Sequence, residues 1–330
     1  MTTIKDIAKK AGVAPSVVSR ALNNKYGVKS STKELILKLA KEMNYYPNTA
    51  ARSLVTRKTG TIGIMMADIS EPYYSQIIKG MEFIANQTGY TLLFSNSYES
   101  LEHNRVLNKM INAERVEGLV IVGSNIQEKK FSITLFEQEI PFVLVERNFS
   151  DSRVNCITVD NIKGAYLATK YLTEKGHRNI AHIAGNLCNQ VTLDRIEGYK
   201  KALHEANINY SDELVLSGNY VCEGGYEIMK KILKNQPQCT AVFASSDSMA
   251  FGALQAITEA GRSVPDDIAV IGFDNLEFSG LTNPPLTTVN QPRYEMGQKS
   301  MELLVDLLRN QTENGVKICL NPELVIRRSV

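Results

Sequence analysis

Tryptophan is absent from the 330 residues, which removes one common sugar-stacking side chain but leaves 14 tyrosines. No run of about 18 apolar residues occurs, so the sequence offers no membrane span. The N-terminus is charged and helical in pattern, with no apolar signal region, and the expected location is the cytoplasm. Only five cysteines are present (Cys156, Cys188, Cys222, Cys239, Cys319). Their number is odd, they are scattered, and no C-x-x-C or His/Cys ligand spacing appears, so reduced thiols and no metal are expected. The four histidines (His103, His177, His182, His204) show no triad arrangement. His177, in KGHRNIAH, fits a turn before a strand. G-x-S-x-G, G-x-x-x-x-G-K-[ST] and G-x-G-x-x-G are all missing, which argues against an enzyme and against a resident cofactor.

What is present begins with an asymmetry of charge. Residues 1–60 hold twelve Lys/Arg against Asp6, Glu34 and Glu42, a net +9, so the rest of a chain of total charge +2 carries −7. A compact basic segment ahead of an acidic body suits contact with phosphates. Length and the 43% apolar, 22% charged composition fit two or three globular domains.

Thr3 to Asn23, TIKDIAKKAGVAPSVVSRALN, reads as two short helices joined at Gly12. Ile4, Ile7 and Ala8 share one face; Val17, Val18, Ala21 and Leu22 give the second helix its apolar side. Pro15 suits the first turn of that helix, where its missing N–H costs nothing. This is the layout of a helix-turn-helix, whose second helix enters the DNA major groove. Ser16, Ser19 and Arg20 face outward, with Asn23 and Asn24 behind them. Ser31, Thr32 and Glu34 mark a third helix start, and Leu35, Ile36, Leu39, Ala40 and Met43 continue its apolar face. Tyr45-Tyr46-Pro47 ends it, and Asn48 caps a last short helical stretch, Thr49 to about Arg57, that needs a partner to order it.

From Thr61 short apolar strands alternate with amphipathic helices. Strands read at Ile62–Ala67, Thr91–Ser95, Gly118–Val122 and Phe142–Val145. A second set reads at Cys156–Val159, Ile180–Ala184, Leu214–Leu216, Ala241–Ala244 and Ile268–Phe273, with Glu323–Arg327 as an end strand. Helices are expected at Tyr74–Thr88, Leu101–Ala113, Gly164–Lys175, Arg195–Ala206, Gly225–Lys234, Ser248–Ala260 and Met296–Leu308. Strand–helix alternation implies parallel sheets with helices on both faces. It occurs twice with a break near Asp160, which predicts two similar subdomains and a cleft at the C-terminal strand ends. The proline-rich return at Pro284, Pro285 and Pro292 suggests more than one crossing between them.

The whole chain resembles the lactose-repressor family of bacterial transcription regulators. The headpiece phrase above is followed by YYPNTAARSL and then by TIGIMMADISEPYY, VEGLVIVGS, VDNIKGAYLATKYLTEKGHRNIAHIAG, FASSDSMAFGALQAI, VPDDIAVIGFDN, PPLTTVNQP and ELVIRRSV. The resemblance implies an α/β protein with a three-helix headpiece (1–47), a hinge helix (48–59) and a periplasmic-binding-protein-like core (60–330). Within that core it implies an N subdomain of about 60–160 plus 292–320 and a C subdomain of about 161–291 plus 321–330. It implies a homodimeric repressor of carbohydrate-utilisation genes on a pseudo-palindromic operator of double-stranded DNA, controlled by a small-molecule effector. The DNA-binding residues it implies are Thr3, Pro15, Ser16, Ser19, Arg20, Asn23, Asn48, Arg52 and Leu54, with Leu54 as a wedge in the minor groove.

For the effector it implies Tyr73, Tyr74 and Tyr220 as aromatic walls and Arg195 and Asp274 as polar contacts, backed by Ser124, Glu146, Arg147, Asn189, Ser246, Asp247 and Gln291. For some of these a framework role stands beside the binding one: Asp160, Asn161 and Asp247 as helix caps, Arg147 in an ion pair. Two departures stand out in the headpiece: Ala14 replaces the usual N-cap serine, and Val17 replaces a frequent threonine. Asn189 and Val191 stand where purine-responsive members carry an arginine and a threonine, which favours a sugar. Two alternatives remain: a phosphoprotein corepressor, and a transport-type sugar-binding protein, the latter opposed by the basic headpiece. No leucine heptads follow ELVIRRSV, so the expected oligomer is a dimer.

Overall fold

The computed structural model describes residues 2–45, 59–96, 116–123, 135, 139–147, 151–310 and 315–330. Two compact units are present, Met1–Thr59 and Gly60–Val330.

In the first unit, helix α1 (Ile4–Ala11) starts at Thr3, whose hydroxyl accepts from the Asp6 N–H while the Asp6 carboxylate accepts from the Thr3 N–H at 2.8 Å. This reciprocal capping box satisfies donors that the first turn leaves orphaned. Gly12 ends α1 at φ 66°, a left-handed conformation that glycine adopts without a Cβ clash. Helix α2 (Pro15–Leu22) carries Pro15 in its first turn, and Ala14 at the cap position supplies no side-chain bond. Helix α3 (Ser30–Glu42) begins one residue before the Ser31 expectation, with Lys29 at its cap and again no side-chain bond. Ile7, Ala8, Val18, Ala21, Ile36, Leu39 and Ala40 form the shared core. Leu35 is not part of it and stands 45% exposed. The buried stripe runs through Ile36, Leu39 and Ala40, and a residue one step away points about 100° off that line.

The second unit holds two sheets, each six-stranded among the described residues. The strands are β1 (Thr61–Met66), β2 (Thr91–Asn96), β3 (Gly118–Val122), β4 (Phe142–Val145), β5 (Asn155–Val159), β6 (Ile180–Ala184), β7 (Val215–Ser217), β8 (Ala241–Ala244), β9 (Ala269–Asp274), β10 (Thr287–Asn290), β11 (Lys317–Leu320) and β12 (Glu323–Val325). The first sheet has the order β11-β5-β4-β3-β1-β2 and the second β12-β10-β9-β8-β6-β7. Described pairings are parallel except β12 against β10. Strand β5, read from sequence with the second set, pairs with β4 and β11 in the first sheet. The chain therefore crosses between sheets after β5, after β10 and between β11 and β12.

Helices α4 (Tyr74–Thr88), α5 (Asn161–Glu174), α6 (Gln190–Glu205), α7 (Cys222–Asn235), α8 (Asp247–Glu259) and α9 (Arg293–Asn310) cover the sheets. The helix expected at Leu101–Ala113 lies outside the described residues. Strands β10 and β11 were not expected. β10 is hidden among prolines, and β11 is an edge strand whose side chains alternate exposed and half-buried. Several helices start earlier than their sequence pattern suggested, because Gly164 and Gly225 look like helix boundaries. They are contact points instead. A Cβ on Gly225 would lie 2.1 Å from the Met249 carbonyl oxygen, so α7 and α8 touch through their backbones there.

Candidate DNA-reading face and effector cleft

On the headpiece, Pro15, Ser16 and Arg20 are exposed on α2 and Ser19 is half-buried. Thr3 and Asn23 already carry local duties. Thr3 closes the capping box, and the Asn23 amide donates to the Ser19 carbonyl at 2.8 Å. Lys9, Lys10, Lys25, Lys29, Lys38 and Lys41 are exposed around them. This combination offers cations for phosphates and one exposed guanidinium with fork geometry for a base edge. Asn48, Arg52 and Leu54 lie outside the described residues, as does Ser124.

In the second unit the remaining effector candidates gather at the C-terminal ends of strands from both sheets. Tyr73 and Tyr74 open α4 with their rings edge to face at 5.3 Å. The Tyr73 hydroxyl lies 3.3 Å from Gln291 Oε1, and Gln291 Nε2 donates to Asp274 Oδ1 at 2.7 Å. One hydrogen-bonded chain thus runs from the first sheet's side to the second's. Burial drives the Tyr73 hydroxyl well above its usual range, helped by the negative charges of Glu146 and Asp274. Glu146, whose carboxyl bonds with Tyr73, is pushed up to about 7, chiefly by burial. Asp274 is also raised by burial, against the pull of Arg195 and Arg293.

Arg195, only 4% exposed, is held from behind. Its Nε donates to Asn161 Oδ1 at 2.9 Å and its Nη1 to the Ser245 carbonyl. The guanidinium lies 3.8 Å from the Phe273 ring centroid and 5.9 Å from that of Tyr220. Asn161 in turn donates to the Val159 carbonyl at 3.0 Å, while Asp160 caps α5 by accepting from the Lys163 N–H at 2.8 Å. Tyr220 sits at φ 67°, its hydroxyl 2.6 Å from Thr192 Oγ1. A Cβ on Gly185 would lie 2.1 Å from the Tyr220 ring, so that glycine is what lets the aromatic wall lie flat.

Other expected residues carry framework duties. Asp247 is fully buried, and its carboxylate accepts from the Leu276 N–H (2.7 Å), the Ser279 hydroxyl (2.5 Å) and the Thr288 hydroxyl. It clamps the loop after β9 and does not cap α8. That cap is Ser246, whose hydroxyl accepts from the Met249 N–H at 3.1 Å. Arg147 is buried and donates to the Gly123 carbonyl at 3.0 Å. Asn189 is buried at the cap position of α6 without making the cap bond. Sequence reading missed Thr192, Phe273 and Arg293 and took Asn161 only as a helix cap. The available signal for Asn161 was its place just after β5; Thr192 lies in the first turn of α6 and Phe273 looked like ordinary core.

Residues 3–48 match the family described as bacterial regulatory proteins, lacI family, and residues 169–330 match a periplasmic binding protein-like domain. An HTH-type transcriptional repressor PurR of Pasteurella multocida is 36% identical over 330 residues, covering 100% of this chain and 99% of that one. The PurR repressor of Photorhabdus laumondii is 38% identical over 331 residues, covering 100% and 97%. The lac repressor dimer bound to operator and the anti-inducer ONPF superposes with a TM-score of 0.89 at 29% identity, covering 99% and 98%. A complex of the transcriptional regulator CelR with cellobiose superposes at 0.78 with 31% identity and full coverage of both chains.

Proposed function

The chain belongs to the lacI family of bacterial regulatory proteins, as a DNA-binding transcriptional repressor rather than an enzyme, and on that premise we propose that a neutral sugar in the cleft sets its operator affinity. The observation that carries the sugar reading is the pairing of donors and acceptors between aromatic walls. The Arg195 guanidinium offers donors, Asp274 and Glu146 offer acceptors, and Tyr73 and Tyr220 offer ring faces. Vicinal hydroxyls, each both donor and acceptor, match that set. Two buried carboxyls disfavour an anionic ligand.

The protein acts in the cytoplasm as a homodimer, one headpiece per half of a pseudo-palindromic operator. Arg20 reads guanine O6 and N7, a pairing worth roughly 1–3 kcal/mol of discrimination. Pro15, Ser16 and Ser19 contact neighbouring bases and the backbone, while Leu54 with Asn48 and Arg52 serves the operator centre through the minor groove. The dimer forms in part through Phe278 and Leu281, 59% and 79% exposed, beside a groove of about 400 Å³ lined by Phe251 and Leu254. Ligand binding biases two arrangements of the subdomains and so the spacing of the headpieces.

The test is a selection from randomised duplexes, repeated with a panel of sugars at several salt concentrations. The panel includes purine bases, because the full-length relatives are repressors named PurR. The expected result is a palindromic consensus, weakened by salt, whose binding responds to a neutral sugar. Arg195→Ala and Asp274→Asn abolish that response and keep basal operator binding. A response to a purine alone, or one that survives both substitutions, refutes the sugar site.

A further inference from the structure

Arg293 entered above only as a positive charge near Asp274, yet it is 5% exposed and uses its guanidinium on two carbonyls from opposite halves of the second unit. Its Nη1 donates to the Tyr73 carbonyl at 3.1 Å and its Nη2 to the Asn275 carbonyl at 2.9 Å. The same cation sits 5.6 Å from the centroid of the Tyr73 ring. Arg293 opens α9, directly after the chain crosses over from β10.

The two bonds are not equivalent. Helix α9 belongs with the first sheet, since Met296, Met301 and Leu304 share its core. It also touches α4 through backbone: a Cβ on Gly297 would lie 2.0 Å from the Ile77 carbonyl oxygen. Tyr73, at the start of α4, therefore moves with Arg293. Asn275 belongs to the other half and is anchored there. Its amide donates to Asn290 Oδ1 at 3.1 Å, its Oδ1 accepts from Arg327 at 2.7 Å, and its N–H donates to Thr288 Oγ1 at 3.3 Å. The bond from Arg293 to Asn275 thus ties a rigid point beside Asp274 to the tyrosine wall opposite. An exposed set parallels it: Gln76 Nε2 donates to Glu277 Oε1 at 2.8 Å, and Lys79 Nζ lies 3.6 Å from the same carboxylate. Solvent screens that exposed set, while the buried guanidinium keeps its full electrostatic strength.

We propose that Arg293 is the positioning residue that sets the gap between the two walls of the cleft, holding Tyr73 against Asn275 across the hinge after β10. A charged donor bonded to two backbone carbonyls holds both at a fixed separation, and neither carbonyl can be supplied by an alternative rotamer. When the halves turn about the crossings, the Asn275 bond is the one that must lengthen. Its meaning for ligand control rests on the effector-cleft reading; its effect on subdomain geometry does not.

The test reads that geometry through the protein's own thiols. Cys319 lies on β11 of the first sheet and Cys188 in the loop after β6 of the second, and both are exposed. In full-length protein carrying Cys222→Ser, spin labels on these two cysteines report the distance across the cleft by pulsed electron resonance, with labelled protomers diluted into unlabelled ones. Arg293→Met and Arg293→Lys are each expected to broaden the distribution about twofold or to move its maximum, because methionine donates no bond and lysine's single rotatable ammonium lacks the rigid planar fork that holds both carbonyls at a fixed separation. Glu277→Ala, which removes only the exposed set, is expected to leave it unchanged. Hydrogen exchange gives a second reading: the first turn of α4 and the segment Leu276–Leu281 exchange about tenfold faster in Arg293→Met, while β1 and β9 do not change. An unchanged distribution in the folded variants overturns the proposal, and so does loosening confined to one of the two segments. If Arg293→Met does not fold, Arg293→Lys decides.

Discussion

Replacing Glu146 by glutamine is expected to make the second unit more stable at alkaline pH and to change little at acidic pH. Glu146 follows β4 in a left-handed conformation (φ 71°), with its carboxyl against Tyr73 and the Asp274 charge close by. Burial, ahead of every other cause, lifts it from 4.5 to about 7. An acid whose folded value is raised favours the native state in its protonated form. That contribution is complete below the ordinary value near 4.5 and is lost as pH rises through about 7. At roughly 1.4 kcal/mol per pH unit, the interval amounts to at most about 3 kcal/mol of stability forfeited by ionising Glu146 in place. Glutamine stays neutral and keeps an oxygen for the Tyr73 hydroxyl. Urea unfolding of wild type and Glu146→Gln at about pH 5, 6, 7 and 8 measures the difference. The two curves should nearly meet at the acid end and separate by about 2–3 kcal/mol at the alkaline end, with the variant the more stable. A residual slope remains in both, because burial also raises Asp247 and Asp274. Curves that run parallel at all pH values, or a variant less stable at the alkaline end, would refute the reasoning.

Three further outcomes follow from single contacts. Ala14→Ser restores an N-cap acceptor to α2 and should raise headpiece stability by about 1 kcal/mol, read as a higher melting temperature of the isolated transition. Gly185→Ala places a methyl group inside the Tyr220 ring position, 2.1 Å away. Ligand response should fall at least tenfold while operator binding without ligand stays intact. Leu281→Asp puts a charge on the exposed apolar side chain proposed, with Phe278, for the dimer face; sedimentation should show monomers, and operator affinity should drop steeply because two half-sites are no longer bound together.

Much of the organisation is legible in local patterns because local chemistry enforces it. The Thr3–Asp6 pair, Gly12 and Pro15 act within one turn of chain, so the helix-turn-helix is readable residue by residue. The alternation of apolar runs with amphipathic stretches likewise announces parallel sheets. Reading failed where the cause was remote. Leu35 looks like a core residue beside Ile36, and only the packing of three helices leaves it outside. β5 reads as the start of a second repeat, whereas its hydrogen bonds to β4 and β11 place it in the first sheet. Gly164 and Gly225 look like helix edges because the elements they touch, the side chains of Phe273 and Val289 on β9 and β10 for the first and α8 for the second, lie elsewhere in the sequence.

The cleft divides in the same way. The sequence alone determines which side chains are available: tyrosines, an arginine and carboxylates next to strand ends, with a basic segment ahead of them. The tertiary structure decides what each is free to do. Asp247 and Asp274 are both aspartates beside strand ends, yet two donors from the loop after β9 and one from β10 consume the first. The second accepts from Gln291 at the neighbouring strand end, and Gln291 in turn meets Tyr73 on the opposite side of the cleft. Arg195 and Arg293 are both buried, but one is backed by Asn161 and Ser245 within its own half, and the other joins two halves. The physical reason is that a hydrogen bond depends on ångström-scale distance and direction, and those are set only when segments far apart in the chain pack together.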